Sequence, residues 1–247
     1  MSIESYDQLI ALKHVGRICH LALAAMARFV RPGVTTLQIA DVGAKVMRDN
    51  GARSAPAMVY GFPGEICISV NDEAVHGIPS SREIQPGDLV KLDVTFEKNG
   101  YMGDAAITVP VEPATEEARR LARCAERAFQ EAMRVAKPQT RVNEIGRAVE
   151  REVRRSGFSV IRALCGHGIG RTIHEPPSVP NYADLTVRER LTSGLVITVE
   201  PIIAMGSGRC ATAEDGWTER TVDGSLAAHF EHTIVITEKA PILLTAA

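Results

Sequence analysis

The sequence lacks the features that would mark a nucleic-acid binder, a disulfide-stapled scaffold or a membrane span. Its 247 residues carry 28 Lys and Arg against 30 Asp and Glu, a formal net charge of −2. A nucleic-acid binder normally shows a basic patch or stripe, and this balance gives it no support. Five cysteines (Cys19, Cys67, Cys124, Cys165 and Cys210) form no CxxC pair and are odd in number. That pattern argues against a disulfide framework and suits reduced thiols in a cytosol. No segment approaches the roughly 18–20 apolar residues of a membrane span, and Lys13, His14 and Arg17 interrupt any signal-peptide core. There is one tryptophan, Trp217, and no low-complexity segment or long linker. The expectation is a soluble cytoplasmic chain without a membrane or a base-contacting nucleic-acid role. With 45% hydrophobic residues it has ample length for one large core or two lobes.

What is present alternates in type. Apolar spacing predicts helices over 5–30, about 35–50, 115–136 and 140–156, and strands over 66–70, 194–199 and 230–237. The first helix carries a Ser5–Gln8 capping pattern and apolar positions at Leu9, Ile10, Ile18, Leu21 and Met26. A weak repeat underlies the order. Pro32, Ile39 and Gly51 recur 106 residues later as Pro138, Ile145 and Gly157, and Asp93 shifted by 107 falls on Glu200. The economical reading is a duplicated α+β unit, with halves of about 1–112 and 113–247 related by a pseudo-twofold axis.

The stretch VKLDVTFEKNGYMGDAAITV, residues 90 to 109, reads as a hairpin around Asn99-Gly100. That turn pairs Lys98 with Tyr101, Thr95 with Asp104 and Asp93 with Ala106. Asp93 and Asp104 then share one face, as diagonal neighbours about 7–8 Å apart. Either this face is solvated, or the two carboxylates share a proton or a cation.

The second half carries more donors. LCGHGIGRTIHEPP sets His167 between glycines, where the backbone can turn tightly, and places His174 seven residues on. Glu200 closes the run SGLVITVEP, and Glu231 opens the apolar strand HFEHTIVIT. Each alone has an ordinary structural reading. Together, Asp93, Asp104, His167, Glu200 and Glu231 make a carboxylate-rich set with one imidazole and no thiolate. Such a set suits two hard or borderline divalent ions, which would let the hairpin acids sit side by side.

The stretches NDEAVHGIP (71–79), LDVTFEKNGYMGDAA (92–106), GHGIGRTIHEPP (166–177), VEP (199–201) and FEHT (230–233) resemble the type I methionine aminopeptidases of the M24 peptidases, across nearly the whole chain. The resemblance implies a single catalytic domain over 1–247 with the pita-bread α/β fold, a central antiparallel sheet flanked by helices. It implies that the five donors hold two divalent ions (Co, Mn, Fe or Zn). It gives Glu200 the role of general base as well as ligand, His174 the stabilisation of the tetrahedral intermediate, and His76 the contact to the scissile amide. Phe62, Cys67, His76 and Trp217 would line the side-chain pocket, with Cys67 a small apolar wall rather than a nucleophile. Nascent polypeptide N-termini are the implied partners, with the ribosome one place of encounter, and a monomer is the implied state.

Three positions depart from the pattern. Ala105 and Ala106 replace hydroxyl residues, which would remove a hydrogen bond behind the metal site, and Ile173 stands where an aromatic often lines the pocket. Competing readings are a proline-directed peptidase of the same fold, a non-catalytic binding protein of that fold, and a metal-free creatinase-like hydrolase.

Overall fold

The computed structural model describes residues 1–246. The helices are α1 (Tyr6–Phe29), α2 (Thr36–Asp49), α3 (Ala55–Tyr60), α4 (Glu116–Val135) and α5 (Asn143–Arg155). Strands of the first half are β1 (Arg53–Ser54), β2 (Cys67–Val70), β3 (Glu73–Val75), β4 (Leu89–Lys98) and β5 (Tyr101–Pro110). The second half adds β6 (Ser159–Val160), β7 (Cys165–Gly168), β8 (Glu175–Pro180), β9 (Val196–Val199) and β10 (Ile202–Ala204). It ends with β11 (Cys210–Thr212), β12 (Glu219–Thr221), β13 (Ala227–His229), β14 (Glu231–Val235) and β15 (Ile242–Leu243). The four long helices and the hairpin fall where apolar spacing places them. Helix α3 and most of the two- to four-residue strands are too short to leave a periodic signal.

Helix α1 corrects the sequence reading in three ways. Ser5 Oγ accepts from the Gln8 amide at 3.3 Å, but Gln8 Oε1 accepts from the Glu4 amide, so the capping box does not close. Ile10 and Leu21 are 46% and 40% exposed. Both point away from the inward stripe of Leu12, Val15, Cys19, Ala22 and Met26: Ile10 lies two residues, about 200° of rotation, from Leu12, and Leu21 the same from Cys19. The helix is also long and apolar enough to cross a membrane by length and composition alone, although Lys13, His14 and Arg17 interrupt its apolar run. Its apolar stripe is instead spent on β4 and β5, against which it packs.

Helix α2 starts from a closed capping box between Thr35 and Gln38, worth about 1 kcal/mol for such a cap. Both α2 and α5 stop before a glycine in the left-handed region, Gly51 at φ +62° and Gly157 at φ +84°. Pairs α1–α2 and α4–α5 pack together and head two separate apolar cores, one backed by β2, β4 and β5 and one by β9, β10 and β14. Each half thus carries one helix pair on strands.

One nine-stranded sheet joins the halves in the order β1-β4-β5-β14-β9-β7-β8, with β2 on β4 and β15 on β14. The β4–β5 register is the expected one: Lys98 opposite Tyr101, Thr95 opposite Asp104, Asp93 opposite Ala106. Asn99 and Gly100 both take positive φ, 53° and 79°, as a type I′ turn requires. The two halves meet at β5–β14, where Ala106 opposes Glu231 and Ala105 opposes His232. Ala105 and Ala106 are fully buried at that seam.

Candidate active site and metal centre

A cavity of about 560 Å³ opens over the seam between the halves. All ten sequence-nominated residues line it: Phe62, Cys67, His76, Asp93, Asp104, His167, His174, Glu200, Trp217 and Glu231. The strands bring the charged ones together at its floor. Donor atoms of Asp104, His167 and Glu231 lie within 4.8 Å of one another, and a second such group is Glu200, His229 and Glu231. Asp93 faces the same floor but joins neither group. His229, which sequence reasoning passed over, joins the second; its signal was its place two residues before Glu231.

Burial sets the electrostatics. Asp104, Glu200 and Glu231 are 6%, 8% and 2% exposed. Loss of solvation pushes Asp93 up to about 7 and Glu200 up to about 8. Asp104 and Glu231 are pushed well above the carboxylate range by burial first and by neighbouring carboxylates second. Burial lowers His167 to about 4 and His229 to about 3, so both imidazoles are neutral donors of lone pairs near pH 7. Four carboxylates this close cannot all ionise unless a cation compensates them. Asp104 Oδ1 and Glu231 Oε1 are buried without a hydrogen-bond partner. Oxygen-rich donors of this kind, unpartnered and aimed at one another's neighbourhood, fit a divalent metal.

The floor is braced from behind. Thr198 Oγ1 donates to Glu200 Oε1 at 2.8 Å and accepts from the His167 amide at 3.1 Å. Asn181 Nδ2 donates to the Glu200 carbonyl at 2.8 Å. Thr233 Oγ1 donates to the Asp104 carbonyl at 2.8 Å and accepts from the Asp104 amide at 2.9 Å. The hydroxyl absent from positions 105 and 106 is therefore supplied to Asp104 across the strands. His167 sits on β7 in extended backbone, not in a tight turn. Its flanking glycines are required by close approach, since a Cβ on Gly166 would lie 2.7 Å from Thr198 O and one on Gly168 2.2 Å from Pro176 O.

The wall is aromatic. Phe62 meets Trp217 edge-on, with ring centroids 5.3 Å apart. Pairing of β12 with β3 brings the Trp217 segment beside His76, whose carbonyl accepts from Thr218 Oγ1 at 3.5 Å. His76 holds φ +59°, an uncommon left-handed conformation for a side chain of this size. His174 stacks edge-on against His167 at 4.2 Å and its Nδ1 lies 2.5 Å from the Tyr60 hydroxyl, a partner the sequence reading did not nominate. Burial raises the Cys67 thiol well above its usual value, so it is no thiolate nucleophile. Ile173 lines the cavity with its side chain 4% exposed.

Comparison with known proteins places this arrangement. Residues 11–238 match the model for metallopeptidase family M24. The chain is 44% identical over 247 residues, 99% of each chain, to methionine aminopeptidase 2 of Bacillus subtilis strain 168. Its structure superposes on a methionine aminopeptidase from Thermotoga maritima with a TM-score of 0.94, at 34% identity and with full coverage of both chains. A prolidase from Pyrococcus furiosus shares the fold, with a TM-score of 0.78 at 23% identity, but this chain covers 65% of it. The sheet and helix pairs are thus those of the pita-bread fold.

Proposed function

The chain belongs to metallopeptidase family M24, and from that premise we propose that it removes the initiator methionine from proteins and peptides whose second residue is small. Full-length similarity to methionine aminopeptidases supports the reaction. The observation that carries it to this site is the convergence of His174 and the buried carboxylate floor on one cavity with an aromatic wall.

In this reading Asp93, Asp104, His167, Glu200 and Glu231 hold two divalent ions. Such ions supply Lewis acidity and lower the pKa of water, giving a nucleophile near neutral pH. Glu200 takes the proton of the attacking water, with Thr198 fixing the carboxyl through its Oε1. His174 donates from Nε2 to the carbonyl oxygen as negative charge develops there. The Tyr60 hydroxyl at Nδ1 selects the tautomer that has Nε2–H. His76 positions the scissile amide, and Phe62, Trp217 and Cys67 receive the unbranched thioether. The second side chain presses on the rim near His76, where bulk displaces the carbonyl; a shift on the order of 1 Å costs about 10²-fold in rate. The enzyme works as a cytoplasmic monomer on nascent N-termini.

The test is a panel of tetrapeptides beginning Met-Ala, Met-Ser, Met-Gly, Met-Leu, Met-Lys and Ala-Pro, assayed with Mn, Fe or Co. Cleavage of the first three and sparing of the rest is expected. Preferential cleavage of Ala-Pro over Met-Ala overturns the assignment in favour of a proline-directed peptidase.

A further inference from the structure

His229 is the last residue of β13, paired with Ile202 of β10, and Phe230 separates it from Glu231 at the start of β14. Alternation along the chain turns His229 and Glu231 to the same side, toward the cavity floor. The residue's backbone is pinned from the first half: its amide donates to Thr108 Oγ1 at 2.9 Å and its carbonyl accepts from that hydroxyl at 2.7 Å. The side chain is 2% exposed, and neither ring nitrogen has a hydrogen-bond partner. A buried imidazole with both nitrogens unmet costs free energy unless something else satisfies it.

The distances say what that is. His167 Nε2 lies 3.5 Å from Glu200 Oε1 and 3.9 Å from Asp104 Oδ2. His229 Nε2 lies 3.5 Å from Glu231 Oε2 and 3.9 Å from Glu200 Oε2. The second imidazole thus stands to its two carboxylates as the first stands to its own. Glu200 turns one oxygen toward each ring. These separations are too long for hydrogen bonds. Two donors held about 2.0–2.2 Å from one ion, at tetrahedral to trigonal angles, lie about 3.3–3.8 Å apart; the two 3.5 Å separations fall in that range and the two of 3.9 Å lie just beyond it.

We propose that His229 Nε2 is a sixth donor of the metal centre, sharing an ion with Glu200 and Glu231, so that each of the two ions carries an imidazole. This rests on the metal-centre reading above. An imidazole in place of an all-oxygen environment moves the second subsite away from magnesium-like and toward zinc-, cobalt- or iron-like preference.

The test is proton NMR of the cobalt(II)-loaded protein, where each coordinated imidazole shows one exchangeable, contact-shifted N–H. For His167 that proton is on Nδ1, 2.9 Å from the Gly168 carbonyl; for His229 it is the buried Nδ1–H. Two such resonances are expected, and histidine-selective ¹⁵N labelling identifies them as ring protons. His229→Gln should remove one of them and weaken binding of one cobalt ion, read by titration calorimetry, by about 10–100-fold, with the melting of the cobalt-free protein as the control for folding. The wild-type spectrum decides even if the variant does not fold. One imidazole resonance with two cobalt ions bound overturns the sixth donor and leaves the metal centre standing. Weaker binding without loss of a resonance makes His229 a positioning residue and overturns it too. No cobalt uptake by the wild type overturns the metal-centre reading and this inference with it.

Discussion

The floor and the wall of the cavity are built on opposite principles. The floor residues Asp93, Asp104, His167, Glu200 and Glu231 sit on, or directly next to, strands of one sheet whose register is fixed on both sides. They are mostly buried, held by threonines from behind, and carry more negative charge than a protein interior tolerates alone. The wall residues Phe62, His76, His174 and Trp217 sit between elements; Phe62 and Trp217 each follow a glycine with positive φ, Gly61 and Gly216, and His76 has positive φ itself. In the proposed function, rigid backbone holds the chemistry and the loops shape what enters. The difference predicts that changes to the floor alter metal content and turnover together, whereas changes to the wall leave the metal in place.

Asp104→Ala gives the largest expected effect. It removes a donor from a buried cluster, and several kcal/mol of charge stabilisation go with it, so kcat/KM should fall by at least about 10³-fold. Metal analysis of the purified variant should show reduced content. Near-normal turnover and metal content would break the distinction between floor and wall at once. His174→Ala belongs to the wall side of the comparison and should act differently. In the proposed mechanism its hydrogen bond strengthens as the oxyanion forms, so kcat should drop by about 10²–10³-fold with KM nearly constant and metal content unchanged. An effect confined to KM would assign His174 to substrate binding.

The same division governs what could be read from the sequence. Asp93 and Asp104 were legible because a period-2 pattern and an Asn-Gly turn fix a hairpin register without outside help, and the register came out residue for residue. His167, Glu200 and Glu231 were legible as residue types, and the motif spacing tied them together. Thr198 and Asn181 were not, because a buried hydroxyl or amide leaves no pattern until its partner is known. Tyr60 and the pairing of Trp217 with Phe62 depend on where loops fold back, which propensity does not encode. Ile10 and Leu21 failed for a simpler reason: hydrophobic residues on a helix do not all face inward, and these two stand off the face on which Ile18 and Met26 are buried.

Thr198→Val sharpens the comparison from within the floor. The substitution keeps the volume at a fully buried position of the β9–β14 pair but deletes the hydroxyl between Glu200 and the His167 amide. Metal affinity should weaken about 10–100-fold by titration calorimetry, the loss typical of a residue that orients ligands. Unchanged affinity would mean that the sheet register alone suffices to aim Glu200.

Stripping the metal tests the charge on the floor. Unfolded carboxylates titrate near 4, whereas folded Asp93 and Glu200 titrate at about 7 and about 8. Between those limits the folded, metal-free protein holds protons that the unfolded chain has released, so this contribution to stability falls as pH rises. Buried His167 and His229 oppose it only below about 6.5, where unfolded imidazoles become charged. Lys91, lowered to about 7 by burial, opposes it above pH 7 but does so with or without metal. Metal binding needs the carboxylates ionised, so the rise in Tm produced by manganese should grow between pH 6.5 and 8, by on the order of 5 °C. A Tm difference independent of pH would show that the floor carboxylates are already ionised without metal.

Tyr60→Phe is the smallest change and addresses the wall alone. The ring stays, half-exposed beside His174 with centroids 5.5 Å apart, and only the hydroxyl near Nδ1 is lost. A neutral hydrogen bond contributes about 1 kcal/mol, so kcat should fall about fivefold, with metal content and stability unchanged. The loss arises because nothing then selects the tautomer whose Nε2 carries the proton. In Tyr60→Phe,His174→Ala the Tyr60 effect should vanish, since there is no tautomer left to select. If the two losses multiply instead, Tyr60 acts on the substrate directly, and the wall is more than a mould around His174.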